Sequence, residues 1–140
     1  MIERRGETVR SDPRSLVEIK VDRDELVVTE SRYGPGESGP GEHVHRQHSD
    51  SFYVLEGRLV FELSGERVVV EGGGFVLVPP GLVHTFRNEG PGFARFLNAH
   101  TPGCGFADHL RGRDGDFDTY DPPADGGRPA TDAIVVTRSR

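Results

Sequence analysis

The sequence predicts an all-β fold, a sandwich or barrel of many short strands. Three observations lead there. Apolar and polar residues alternate along much of the chain, turn residues recur at short intervals, and almost nothing before residue 105 has a helical period. The 19 glycines and 10 prolines supply the turns that so many strands require. A length of 140 residues suits one domain with a core large enough to fold without disulfides.

Residues 1–15 are charged and aperiodic and read as a loose arm. Leu16–Val21 alternates apolar and polar side chains, and Leu26–Tyr33 is rich in β-branched residues; both read as strands. Gly34–Glu42 holds four glycines and two prolines in nine residues, which makes it a loop. Ser51–Glu56 carries a dense strand signal that runs into Gly57. Arg58–Leu63 places Leu59, Phe61 and Leu63 on one face, and Ser64-Gly65-Glu66 turns the chain back through Arg67–Val70. Gly72-Gly73-Gly74 breaks the chain before the apolar Phe75–Val78, which stops at Pro79-Pro80-Gly81. Val83–Asn88 and Phe93–Ala99 are two further strands around a Glu-Gly-Pro-Gly turn. Phe106–Arg111 has room for one short helix. Residues 112–132 read as loop, and 133–137 as an edge strand. The expected organisation is an arm at 1–15, a barrel at 16–110 and a loop-rich tail at 111–140.

Charge and composition exclude several classes. With 17 basic and 23 acidic residues the net charge is -6, without the basic excess a nucleic-acid binder would show. No stretch approaches the roughly 18 apolar residues of a membrane span. The single cysteine, Cys104, can form no internal disulfide, and the first residues carry no apolar run of signal-peptide length. The expectation is a cytoplasmic protein with no nucleic-acid or membrane partner.

Five of the six histidines lie between His43 and His100. His43 and His45 are two apart, so on a strand both imidazoles project from one face. Asp50 opens the next strand, and His84 follows the Pro-Pro-Gly turn. Singly these are weak signals. An isolated His-x-His is more often a surface accident than a metal site, and an isolated His84 reads as a satisfied core histidine. His48 alone reads as solvent-facing or as a neighbour of ligands. His100, at a strand end before Thr101-Pro102, reads as exposed, with a proton shuttle as the alternative. The order of the set carries more weight than any member.

That order resembles the cupin superfamily. Its first motif appears as His43-Val44-His45, four residues, Asp50, six residues and Gly57. Its second appears as Gly73, five residues, Pro79-Pro80-Gly81, two residues, His84, three residues and Asn88, without departure. The resemblance runs from about residue 24 to 110. It departs at Glu37, where a glycine is expected and Gly36 stands beside it. It departs again at Asp50, which replaces a glutamate and reaches about 1.5 Å less, one carbon–carbon bond.

The resemblance implies a double-stranded β-helix, the jelly-roll barrel of cupins, with a short C-terminal helix and a loop-rich tail. It implies a metal site of His43, His45, Asp50 and His84, with His48 as the alternative to Asp50. Gly57, Gly73, Pro79, Gly81 and Asn88 take structural roles at turns and packing positions. One divalent transition metal ion is implied; imidazole and carboxylate ligands suit Fe, Ni, Cu, Mn or Zn without choosing among them. Phe61, Phe86 and Phe96, with either Phe52 and Val54 or their alternates, are candidates for the barrel interior. The implied function is that of a small quercetin dioxygenase-like enzyme acting on an aromatic or enolic small molecule. The alternatives are a Lewis-acid enzyme of the polyketide cyclase or isomerase type, and a non-catalytic module that binds a small ligand. A homodimer is also implied, with residues 16–33 as the expected strand donors.

Overall fold

The computed structural model describes residues 2–113 and 115–139. Among them the chain forms ten strands: β1 (Glu7–Asp12), β2 (Ser15–Arg23), β3 (Leu26–Tyr33), β4 (Ser49–Glu56), β5 (Arg58–Leu63), β6 (Glu66–Glu71), β7 (Phe75–Val78), β8 (His84–Arg87), β9 (Ala94–Thr101) and β10 (Ile134–Val136). One short helix, α1 (Phe106–Leu110), and a 3₁₀ turn at Ala130–Asp132 complete the elements. The strands make two sheets. One has seven strands in the order β1-β2-β3-β9-β4-β7-β10, and the other has three in the order β6-β5-β8. The sheets face each other around one interior, the double-stranded β-helix that the motifs imply.

Strand parity decides what enters that interior. β4 turns Asp50, Phe52 and Val54 inward and leaves Tyr53 41% exposed. β9 turns Ala94, Phe96, Asn98 and His100 inward, and β3 turns Val27, Thr29, Ser31 and Tyr33. β5 contributes Leu59, Phe61 and Leu63 from the facing sheet. The aromatic core is continuous: Phe52 meets Phe61 at 5.0 Å and Phe86 at 4.8 Å between ring centroids. Phe61 has no exposed surface. Phe61→Ala is therefore expected to cost about 3–5 kcal/mol, the usual range for a large aromatic truncated in a packed core. Urea unfolding measures it.

Turn chemistry closes the sheets. Ser64 (φ 49°) and Gly65 (φ 83°) supply the two positive φ angles of a tight hairpin between β5 and β6. Gly57 has φ 73°, and a Cβ there would lie 2.3 Å from the Phe93 carbonyl oxygen, so the chain crossing requires glycine. Asn88 donates to the carbonyls of Tyr33 and Gly92 and accepts from the Gly90 amide, a structural role that binds the end of β8 to β3 and β9.

One expectation changes. The expected loose arm contains a strand instead, because Glu7–Asp12 pairs antiparallel with β2. It is an edge strand with little buried surface, held by backbone bonds and by Arg111, whose guanidinium donates to both Glu7 carboxylate oxygens. The tail carries the expected edge strand: β10 pairs with β7 and extends the larger sheet, and Phe117 and Thr119 of its loop line the interior. Within the sheet, β2 lies between β1 and β3, and β3 between β2 and β9.

Candidate metal centre and its aromatic cavity

His43 and His45 do not lie on a strand. They are held by isolated bridges, His43 to His84 and Val44 to Tyr120, which still leave both imidazoles facing inward. Asp50 enters from the start of β4 and His84 from the start of β8. The register of β4 with β9 puts Asp50 directly opposite His100. All five side chains are buried.

Backbone carbonyls orient the three imidazoles. Nδ1 of His43 donates to Gly41 O at 2.7 Å, Nδ1 of His45 to Asp118 O at 2.7 Å, and Nδ1 of His84 to Leu82 O at 2.9 Å. With the proton on Nδ1, each neutral ring has its lone pair on Nε2. Those of His45 and His84 lie 3.2 and 3.1 Å from Asp50 Oδ2. Lone pairs facing a carboxylate repel unless a cation lies among them. Metal–ligand bonds of about 2.1 Å at right angles place adjacent donors about 3.0 Å apart, close to these separations. The donors of His43, His45, Asp50 and His84 all lie within 4.8 Å of one another. This cluster is able to hold a metal ion.

Burial favours the neutral forms of His43 and His100. Burial pulls the His43 pKa down to about 4, helped by its neighbour His84. Burial also pulls His100 down to about 4 against the pull of Asp50. Burial by itself would raise Asp50, but in the metal-free site protons shared with His100, His45 and His84 hold it well below the usual carboxylate range. Asn98 contributes too, donating to Asp50 Oδ1 at 2.6 Å and to Ser51 O at 2.9 Å.

A second layer runs outward from Asp50. His100 Nε2 bonds Asn98 Oδ1 at 3.0 Å, His100 Nδ1 bonds His48 Nε2 at 2.8 Å, and His48 Nδ1 bonds Asp118 Oδ2 at 2.8 Å. Because Asn98 uses its amide hydrogens on Asp50 and Ser51, its oxygen must accept from His100. His100 Nδ1 must then accept from His48. Two neutral imidazoles carry two protons and the three bonds need three, so one further proton is shared between His48 and Asp118. Burial lowers the His48 pKa and Asp118 opposes that shift. Burial also works to raise the Asp118 pKa, but amide bonds from Gln47 and Arg46 and the bond from His48 leave it lowered.

The structure thus brings together all four residues the motifs single out. His48 stands beside them with both ring nitrogens engaged, and Asp50 takes the fourth position of the convergent group. His100 is not exposed as expected: it is 2% exposed and stacks on Phe106 with centroids 3.7 Å apart. Its parity with Phe96 and Asn98 on one strand was the available signal. Asp118 was missed, since it sits in an Asp/Gly/Pro-rich segment with no periodicity and acts across some 70 residues of sequence.

The cluster forms one end of a cavity of about 490 Å³. Phe86 and Phe96 line it from the barrel, and Phe106, Leu110 and Phe117 from α1 and the tail. Tyr33 lies at the far end, where burial pushes its phenol up to about 12. The folded state therefore holds this proton while an unfolded tyrosine loses it near pH 10, so stability falls as pH rises from about 10 to 12. The expected loss is about 2–3 kcal/mol, at about 1.4 kcal/mol per pH unit. Denaturant titrations of wild type and Tyr33→Phe should differ in slope only across that window.

Fold and site together define a double-stranded β-helix with an imidazole–carboxylate centre at one end of an aromatic cavity. The chain belongs to the cupin domain family, whose model matches residues 29–100. Among curated proteins it is 26% identical over 88 residues to a quercetin 2,3-dioxygenase of Bacillus subtilis, covering 63% of this chain and 26% of that protein. It is 33% identical over 70 residues to the HTH-type transcriptional regulator PuuR of Escherichia coli, covering 50% of this chain and 37% of that one. It is 36% identical over 63 residues to the polyketide synthase CurC of Streptomyces cyaneus, covering 45% and 40%. The chain spans between about a quarter and two fifths of the length of these relatives. Among solved structures, KdgF from Halomonas sp. superposes with a TM-score of 0.61 at 21% identity, covering 69% of this chain and 86% of that one. An RmlC-like cupin from Methanocaldococcus jannaschii gives 0.61 at 19% identity, covering 73% and 93%. At these identities the structural likeness is one of fold. None of the described helices is long and apolar enough to cross a membrane.

Proposed function

We propose that this protein is a metal-dependent, dioxygenase-like enzyme acting on a small aromatic or enolic substrate. One observation carries the reading: bare Nε2 atoms and an ionised carboxylate converge at the end of a cavity walled by aromatic rings. His43, His45, Asp50 and His84 would hold the ion. A bound transition metal supplies polarisation of substrate oxygens and positions for O2. The chain's own groups do the rest. Phe86, Phe96, Phe106 and Phe117 exclude water and flank a flat substrate, and Asn98 holds Asp50 in place. The relation to a quercetin 2,3-dioxygenase supports the reading. Elemental analysis joined to an oxygen electrode tests it. Near-stoichiometric Fe, Cu, Ni or Mn with oxygen uptake on flavonol or catechol substrates is the expected result. Turnover that persists under nitrogen overturns it.

The His48–His100 chain favours a second reading, a Lewis-acid cyclase or isomerase, because such reactions move protons and His100, on the cavity wall, is hydrogen-bonded through His48 to Asp118. The similarity to a polyketide synthase fits it. Stoichiometric zinc with anaerobic turnover of an enolisable ketone would select it.

A further inference from the structure

Strand β3 turns Thr29, Ser31 and Tyr33 into the cavity at successive inward positions, 1%, 5% and 7% exposed. Their register on β9 sets Thr29 beside Asn98, Ser31 beside Phe96 and Tyr33 beside Ala94. They therefore form a line from the donor cluster to the far end, spaced about 7 Å apart as alternate residues of a strand.

Elsewhere in the interior the polar side chains are spoken for: Asn98, His48, His100 and Asp118 all have partners. None of these three hydroxyls forms a side-chain hydrogen bond among the described residues, yet no fully enclosed polar atom is left without a partner. Both statements hold together only if the hydroxyls open onto the cavity itself. A hydroxyl facing a cavity pairs with whatever fills it, and three in a row along one wall amount to a built surface. Phe86, Phe106 and Phe117 also line the cavity and suit the face of a ring. Arg10 and Glu37 stand at the far end near Tyr33 with opposite charges, so that pole favours a neutral polar group over a strongly charged one.

We infer that Thr29, Ser31 and Tyr33 form a hydroxyl ladder that selects a multiply hydroxylated ring compound by pairing with oxygens along one of its edges. The inference rests on the cavity being the substrate site of the proposed enzyme, but it concerns binding and needs no turnover. A hydroxyl can both donate and accept, so the ladder matches substrate hydroxyls in either sense. Polyphenols and sugars share this chemistry.

The experiment is calorimetry under nitrogen with three probes: 3-hydroxyflavone, which carries only the enol–ketone head, quercetin, which adds ring hydroxyls to that head, and galacturonate. Wild type is compared with a Thr29→Val, Ser31→Ala, Tyr33→Phe triple variant. Wild type is expected to bind quercetin at least about tenfold more tightly than 3-hydroxyflavone, since each neutral hydrogen bond contributes several-fold. In the triple variant that ratio falls to near one while 3-hydroxyflavone binding holds. The same variant-sensitive binding seen with galacturonate instead supports the ladder and assigns it to sugar-type ligands. Equal loss for both flavonoids, an unchanged ratio, or no binding of any probe to wild type overturns the inference. Should the triple variant fail to fold, Thr29→Val and Tyr33→Phe singly carry the same comparison. Loss of oxygen uptake with the ladder's discrimination intact overturns only the dioxygenase reading.

Discussion

Replacing His84 with alanine is expected to strip the protein of its metal. His84 is fully buried, its ring is fixed by Leu82 O, and its Nε2 lies 3.1 Å from Asp50 Oδ2. Alanine removes one of four convergent donors and leaves space that nothing nearby fills. The loss in affinity should exceed the roughly 10–100-fold that changes to a ligand's outer partners cost. Elemental analysis of purified wild type and His84→Ala reads it directly, with thermal unfolding as the control for folding. Near-stoichiometric metal in both proteins would place the ion elsewhere. His48→Ala serves as the contrast: it breaks the outer chain while leaving the four donors in place, so metal should be weakened but retained.

The second large effect is expected at Asp118. Its carboxylate accepts from the Arg46 amide, the Gln47 amide at 2.6 Å and His48 Nδ1, and its carbonyl orients His45. Asp118→Ala keeps the carbonyl but leaves two backbone N–H groups and a buried imidazole without their acceptor. The cost is expected to be about 2–5 kcal/mol, the range for breaking a buried, hydrogen-bonded pair from one side. Metal affinity should fall by about 10–100-fold, because the 45–48 segment loses its anchor. Asp118→Asn retains one acceptor oxygen and should recover part of both losses. Denaturant unfolding of the metal-free forms separates the fold's share from the site's. An Asp118→Ala protein as stable as wild type would show that water replaces the carboxylate without penalty.

These two sites also mark where the sequence was legible. His84 stood inside a complete motif after a Pro-Pro-Gly turn, and Asp50 kept its place despite the shorter side chain. The bounds of β3, β5 and β7 match the sequence reading to the residue, because apolar runs ended by turn residues mark strands packed on the core. β1 carries a single apolar residue, Val9, in Glu-Thr-Val-Arg-Ser-Asp, and its pairing comes from backbone bonds that leave no pattern in side chains. Asp118 had no local signal at all. Its partners are backbone amides and a histidine some 70 residues earlier, and only the folded chain brings them together. The hydroxyls of β3 were visible as strand residues, but what they lacked, a partner, is a property of the tertiary structure.

The long reach of Asp118 has a consequence for the order in which the protein is made. All four convergent donors have left the ribosome once His84 emerges, but Asp118 follows 34 residues later (118 − 84). Until then the His45 ring lacks the carbonyl that sets its tautomer, and the 45–48 segment lacks its clamp. A nascent chain halted between these points would hold the donors without the element that aims them, so the ordered donor cluster can form only after residue 118 has emerged.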